Sequence, residues 1–145
     1  MQVSESGELL IVVAGRLGCA LPLHHVGETM RALPIEAISG MPSYLLGLSI
    51  IRGVPTPVVE LGKLLGSGGD DKPTRFVTLR LGERKVALAV DAVRGVRRLS
   101  AAELAPLPPL LQSDAVQQIG TLDAQLLVVL AEGWSLPDEV WATVG

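Results

Sequence analysis

Aromatic residues are scarce in this sequence. Its 145 residues include only four of them, namely Tyr44, Phe76, Trp134 and Trp141, although 48% of the chain is hydrophobic. A core must therefore be built mainly from Val, Leu, Ile and Ala. Single-stranded nucleic acids are bound on stacked aromatic side chains, and a net charge of −3 provides no positive field for phosphates. We expect no nucleic acid as a main partner.

Cysteine and histidine are also rare. The single cysteine, Cys19, excludes an internal disulfide and lies in an apolar run, where a thiol behaves as a small hydrophobic group. The two histidines, His24 and His25, are expected in a tight turn or on the surface. Because neighbours on a strand point to opposite faces, we do not expect both to bind one metal ion. We predict no metal site and no catalytic residues.

Targeting and membrane-spanning signals are not evident. The first five residues lack the basic region of a signal peptide, and the apolar run over 9–14 is too short to cross a bilayer. We expect a cytoplasmic protein with no direct membrane insertion.

Most of the sequence consists of short β-rich runs that are separated by glycine or proline. Apolar alternation and turn residues predict about eight strands. They cover residues 8–14, 19–23, 26–31, 54–59, 75–81, 86–90, 116–122 and 125–130. With no long amphipathic helix, this pattern predicts an all-β barrel or sandwich.

Helical segments are expected to be few and short. We predict one turn over 43–48 with Ser43 as its N-cap, and a short helix over 61–65 that ends at Gly66. Ser100 and Glu103 have capping-box spacing, and residues 135–138 are suited to begin a C-terminal helix. The segment 67–74 is predicted to be a loop.

Two strands carry stronger positional signals. Pro55 and Pro57 alternate in one strand, and since neither can donate a ladder hydrogen bond, we expect that strand at a sheet edge with both positions facing solvent. The unbroken apolar run over 86–90 predicts a strand buried on both faces. Arg94, Arg97 and Arg98 form a basic group that fits either a solvated face or a patch for an acidic partner.

The segment Gly47-Leu-Ser-Ile-Ile-Arg-Gly-Val-Pro-Thr-Pro-Val-Val-Glu-Leu61 stands apart from generic β sequence. It resembles the signature of CheW-like domains: Gly, an apolar run, Arg-Gly, then Pro, two apolar residues, an acidic residue and Leu. Supporting blocks follow the family order. They are Ala20-Leu-Pro-Leu with Val26-Gly27-Glu28, then Val86-Ala-Leu-Ala-Val-Asp-Ala-Val-Arg-Gly-Val96, then Ile119-Gly120-x-Leu122 with the run over 126–130.

This resemblance implies a single CheW-like domain over 1–145, with the match strongest over 8–130. It implies two intertwined five-stranded SH3-like β-barrels around a shared hydrophobic core. The implied role is a non-enzymatic signalling adaptor, without a cofactor, in chemotaxis or pilus-type motility. Its implied partners are the cytoplasmic tips of chemoreceptors (methyl-accepting chemotaxis proteins) and a CheA-type histidine kinase.

The resemblance also nominates partner-binding residues. Arg52 is the first, because a planar guanidinium can pair with a partner carboxylate through two hydrogen bonds; the alternative is an arginine that satisfies loop carbonyls. Gly53 is expected to take a positive φ in the turn and so to position Arg52. The further candidates are Val26, Glu28, Gly47 and Val96, and for Val26 and Val96 core packing explains the residue equally well.

Two other functions compete with the adaptor. A small β-barrel binding module for another partner or ligand would need a large apolar pocket. A small enzyme would need a cleft with several strongly shifted titratable groups.

Overall fold

The computed structural model describes residues 7–67 and 72–144. Of the loop predicted over 67–74, residues 68–71 lie outside the described residues. Within the described part of the chain there are eleven strands and two short helices. The strands are β1 (Glu8–Ala14), β2 (Leu17–Pro22), β3 (Val26–Arg31), β4 (Leu45–Ile51), β5 (Val54–Glu60), β6 (Arg75–Leu81), β7 (Arg84–Val90), β8 (Ala92–Arg98), β9 (Leu104–Pro106), β10 (Val116–Leu122) and β11 (Gln125–Leu130). The helices are α1 (Leu61–Leu64) and α2 (Asp138–Val144), and 3-10 turns lie at Leu23–His25, Ala101–Glu103 and Pro109–Leu111.

The first sheet has the order β8-β1-β2-β11-β10-β9. Its strands pair antiparallel except β11 and β2, which are parallel. The edge strands β8 and β9 are adjacent in sequence, joined through the turn Ala101–Glu103. Glu103 accepts a hydrogen bond from the Ser100 amide at 2.9 Å, so the predicted capping box is formed. The sheet thus curls until its two edges are linked by one short segment.

The second sheet has the order β3-β6-β7-β5-β4, with β5 and β7 parallel. The chain enters it from β2 and returns to the first sheet at β8. The first sheet is therefore built from both ends of the chain and the second from the middle, which is the intertwined arrangement implied by the family resemblance. The first sheet has six strands instead of the expected five because the three-residue β9 extends it at one edge.

The open edges of the second sheet, β3 and β4, are brought together by the segment that follows β3. Glu36 and Leu48 exchange backbone hydrogen bonds of 2.8 and 2.9 Å. The Ser49 hydroxyl donates to the Pro34 carbonyl oxygen at 2.7 Å. We call this junction, formed by β3, residues 34–36 and β4, the seam. It covers main-chain groups that an exposed edge would leave unpaired.

Three apolar clusters explain how the barrels share a core. One lies between the sheets and takes side chains from both, together with Trp134, Leu136, Val140 and Trp141. The other two fill the separate interiors, around Leu9, Ile11, Ala20, Leu99, Leu127 and Val129 in the first sheet and around Ile51, Val58, Phe76, Ala87 and Ala89 in the second.

Strand β7 contributes side chains to two of these clusters. Val86, Leu88 and Val90 point into the shared core, while Ala87 and Ala89 point into the second barrel. All five are buried. The prediction of a strand buried on both faces is confirmed, since a strand between two apolar compartments has no polar side.

Four of the predicted strands pair as two hairpins. β6 pairs with β7 over its full length. β10 and β11 turn at Asp123 and Ala124, whose φ angles of 51° and 63° suit a two-residue hairpin turn. The predicted short helices at 61–65 and after 135–138 are present as α1 and α2.

Some local predictions were wrong. Residues 43–48 do not form a helical turn: Ser43 and Tyr44 lie in a turn, and β4 begins at Leu45. β8 and β9 were not predicted as strands. β4 was missed because the bulge between Leu45 and Gly47 breaks its alternation, and β8 because its exposed arginines resemble a solvated turn.

The prediction of an edge strand at Pro55 and Pro57 was also wrong. β5 lies second from the edge, and Pro57 is buried. The prolines are tolerated because the parallel ladder to β7 begins only at Val58, beyond both of them. Neither proline therefore has to donate to β7.

Candidate partner-binding site

The Arg52–Gly53 turn joins β4 to β5 as a two-residue hairpin loop. Both residues have positive φ, 53° for Arg52 and 79° for Gly53. This combination gives a loop whose twist matches the strands it connects. Gly53 adopts the conformation expected from the sequence. Arg52 has a positive φ at a steric cost that glycine would not incur, and backbone strain of this kind is concentrated at functional sites.

The Arg52 side chain forms a fork-like pair with Glu28 of β3. Its Nη2 donates to Oε1 at 2.8 Å, and its Nε donates to Oε2 at 3.2 Å. Both of its hydrogen bonds in the described structure go to this carboxylate rather than to loop carbonyls. The pair connects the β4–β5 turn to β3, across the seam.

The electrostatics of this pair follow from its geometry. The hydrogen bond from Arg52 lowers the pKa of Glu28, with smaller contributions from the charges of Arg52 and Lys85, and outweighs the opposing effect of desolvation. The same hydrogen bond raises the pKa of Arg52. The Arg52 side chain is 73% exposed, so water and a partner can both reach the guanidinium.

Gly47 is buried against the seam rather than displayed on it. Its φ is 144°, and a Cβ placed there would overlap with the Glu36 carbonyl group. A residue other than glycine would push residues 34–36 away from β4. The structure therefore gives Gly47 a part in closing the barrel next to Arg52.

Val26 and Val96 lie in different surroundings. Val26 begins β3, two residues before Glu28, and is half-buried against the shared core. Val96 lies on β8, an edge strand of the first sheet, and is 48% exposed. The structure thus brings Arg52, Gly53, Glu28 and Val26 to one side of the second barrel and leaves Val96 on the other sheet.

Two exposed apolar residues beside Arg52 were missed by the sequence analysis. Ile50 is 61% exposed and Val54 is 52% exposed, and both belong to the hairpin that carries the arginine. Their exposure follows from the alternation along β4 and β5, in which Ser49 and Ile51 point inward. The alternation along β4 was missed because residues 43–48 were interpreted as a helical turn, and β4 was therefore not predicted as a strand.

The prediction that the histidines lie in a turn is confirmed, but the inference that they diverge was wrong. His24 and His25 lie in the 3-10 turn before β3, and both Nε2 atoms approach the same carboxylate oxygen of Glu132, at 3.1 and 2.8 Å. Cys19 is buried as expected, and burial raises its pKa to about 12, which makes it a poor nucleophile.

The barrel interiors are filled with side chains. Phe76, Val58 and Ile51 occupy the centre of the second barrel and Leu9, Leu127 and Leu99 that of the first. The large apolar pocket required by a small-molecule binding module is therefore not formed by these clusters. In the described ranges, no helix has the length and apolar character needed to cross a membrane.

The fold and the site together define a two-barrel β protein that displays an ion-paired arginine beside apolar residues. The family model of the CheW-like domain matches residues 8–132. The chain therefore belongs to the CheW-like domain family.

Individual relatives agree with this assignment. The chain is 26% identical over 128 residues to a protein named chemotaxis protein CheW from Klebsiella aerogenes, covering 85% of this chain and 77% of that one. It is 29% identical over 119 residues to protein FrzA from Myxococcus xanthus, covering 81% and 73%. The solved structure of scaffolding protein TtCheW from Thermoanaerobacter tengcongensis superposes with a TM-score of 0.77, at 22% identity, over 90% of this chain and 97% of that chain. This structural likeness confirms the predicted two-barrel fold.

Proposed function

We propose that this protein is a cytoplasmic, non-enzymatic adaptor that couples the cytoplasmic tips of chemoreceptors to a CheA-type histidine kinase. The observation that carries the proposal is the family match across residues 8–132. Relatives named as a chemotaxis protein and as FrzA support signalling in chemotaxis or related motility. We further propose that the chain acts as a single CheW-like domain.

We propose that one partner binds to the surface formed by the seam and by the β4–β5 hairpin loop beside it. Arg52, Ile50 and Val54 combine an exposed guanidinium with exposed apolar side chains. This mixture of arginine and apolar anchors is favoured at the centres of protein interfaces. Glu28 holds the guanidinium in place before the partner arrives, which reduces the entropy lost on binding.

The remaining candidates have different parts in this proposal. Gly53 and Gly47 shape the turn and the seam, and Val26 supports β3 behind Glu28. Val96 is a contact on the first sheet, where a second partner can be bound independently of the seam.

Replacing Arg52 tests the proposal directly. Arg52→Ala should leave the melting temperature nearly unchanged, since Arg52 bonds only an exposed carboxylate in the described structure. Affinity for the receptor tip or for the kinase should fall about thirtyfold or more, because an interface anchor is lost. Binding is measured by calorimetry with each purified partner.

Arg16→Ala is the matched control, because Arg16 is an exposed turn residue of the first sheet. It should change neither quantity. Unchanged affinity of Arg52→Ala for both partners would remove the seam from the proposal. Failure of the unmodified protein to bind either partner, or tight ATP binding by the purified chain, would overturn the adaptor function itself.

A further inference from the structure

Two imidazoles and one carboxylate meet where the chain crosses from the first sheet to the second. His24 and His25 belong to the turn between β2 and β3, and Glu132 lies two residues beyond the end of β11. The glutamate is far from both histidines in sequence, with separations of 108 and 107 residues. The fold alone brings them together.

The 3-10 turn explains why adjacent histidines converge. Such a turn has three residues per rotation, so successive side chains are about 120° apart instead of pointing to opposite faces as on a strand. The two rings lie 4.2 Å apart between centroids, with their planes tilted by 41°. Glu132 Oε2 lies 3.1 Å from Nε2 of His24 and 2.8 Å from Nε2 of His25.

We propose that His24, His25 and Glu132 form a binding site for a divalent transition-metal ion of the zinc type. Their ligand atoms all lie within 4.8 Å of one another. Ligands on a tetrahedral zinc ion, with bonds of about 2.0–2.1 Å, are separated by about 3.3 Å. Both imidazole–carboxylate distances are already close to that value. The side chains are partly exposed, so that a modest rotation of the rings completes the geometry.

The donor set selects the class of ion. Imidazole nitrogen suits zinc, copper and nickel, whereas magnesium and calcium prefer oxygen ligands alone. Two histidines and one glutamate leave a fourth position open for water or another ligand. On binding, the ion takes the place of the protons between the rings and the carboxylate, so each ring coordinates through its unprotonated nitrogen.

The rest of the chain offers few competing zinc ligands of the imidazole or thiol type. His24 and His25 are the only histidines of the sequence, and Cys19, the only cysteine, is buried with a pKa of about 12. An ion held by all three residues would also link the crossover before β3 to the end of β11. It would therefore bind the folded state and stabilise it.

Titration of the protein without an affinity tag tests the site, with zinc chloride as the probe. Calorimetry should show one ion per chain, the melting temperature should rise with zinc but not with magnesium, and the NMR signals of both histidine rings should shift together. Removal of one of three ligands by His24→Gln, His25→Gln or Glu132→Gln should weaken zinc binding about tenfold or more, since even the loss of a group that only orients a ligand has an effect of that size.

Glu83→Gln is the matched control, because Glu83 is an exposed turn glutamate outside the cluster. It should bind zinc like the unmodified protein. Absence of one-to-one binding below millimolar zinc would overturn the proposal. Equal affinity in the unmodified protein and all three ligand variants would do so as well, since it would assign the ion to other surface carboxylates. These outcomes are independent of receptor or kinase binding.

Discussion

The second barrel has two sides with opposite character. Its wall toward the first barrel is formed by residues 58–59 of β5 and 86–90 of β7, which are apolar on both faces and place Val59, Val86 and Leu88 at the shared core. Its seam is closed by backbone and side-chain hydrogen bonds, such as those of Ser49 and Arg52. The wall is buried between two compartments, whereas the seam meets solvent.

This difference separates stability from recognition. Apolar burial contributes most of the folding free energy, so truncation of a side chain in the shared wall should reduce stability most. The seam contributes less, because exposed ion pairs are screened by water. It can therefore display a charged residue and exposed apolar residues without endangering the fold.

Leu88→Ala should have the largest effect. Leu88 is fully buried at the shared core, and its truncation should reduce the free energy of unfolding by ~2–5 kcal/mol through lost burial and a residual cavity. Chemical denaturation measures the change. Ile50→Ala on the exposed side of the seam is the control and should change it by less than ~0.5 kcal/mol. Equal effects of the two variants would contradict the distinction between wall and seam.

Gly47→Ala should have an intermediate effect that is specific to the seam. The new methyl group would meet the Glu36 carbonyl, and overpacking of this kind costs ~1–3 kcal/mol in addition to backbone strain. Gly40→Ala is a control without a clash, since Gly40 also has a positive φ, 77° against 144° for Gly47, but a methyl group added there would meet no atom within 4 Å. It should cost only the strain, ~1–2 kcal/mol. Chemical denaturation of both variants gives the comparison, and a Gly47→Ala variant no less stable than Gly40→Ala would show that the seam yields easily.

The wall and the seam also differ in how well their structure could be predicted from the sequence. The burial of residues 86–90 could be predicted from the sequence, because a strand without polar residues is expected where both of its faces are covered. The Arg52–Gly53 turn was located through its resemblance to the family signature. What could not be predicted was the partner of Arg52 within the chain, since Glu28 is 24 residues away and reaches it only after the sheet has curled.

Irregular backbone also limits how well the directions of adjacent side chains can be predicted from the sequence. Applying the strand rule to His24 and His25 gave opposite faces, while the 3-10 turn brings both to Glu132. Similarly, the bulge at Gly47 concealed β4 and hence the exposure of Ile50. Periodicity predicts orientation only where the backbone is regular.

The pH dependence of the seam should be the smallest effect and the most local. Arg52 lowers the pKa of Glu28 below its ordinary value of 4.5. A carboxyl group whose pKa is lower in the folded state stabilises the fold above its unfolded pKa, and this contribution is lost as the pH falls through the folded pKa. The stability difference between the unmodified protein and Glu28→Gln, measured by chemical denaturation, should therefore be constant above pH 4.5 and should shrink below it.

NMR titration of the Glu28 carboxyl carbon measures the underlying shift. The pKa of Glu28 should rise when Arg52 is replaced in Arg52→Gln, because its hydrogen-bond donor is removed. Arg16→Ala, on the first sheet, should leave it as in the unmodified protein. If Glu28 titrates alike in the unmodified protein and Arg52→Gln, the ion pair is not formed in solution, and the guanidinium reaches the partner without being held across the seam.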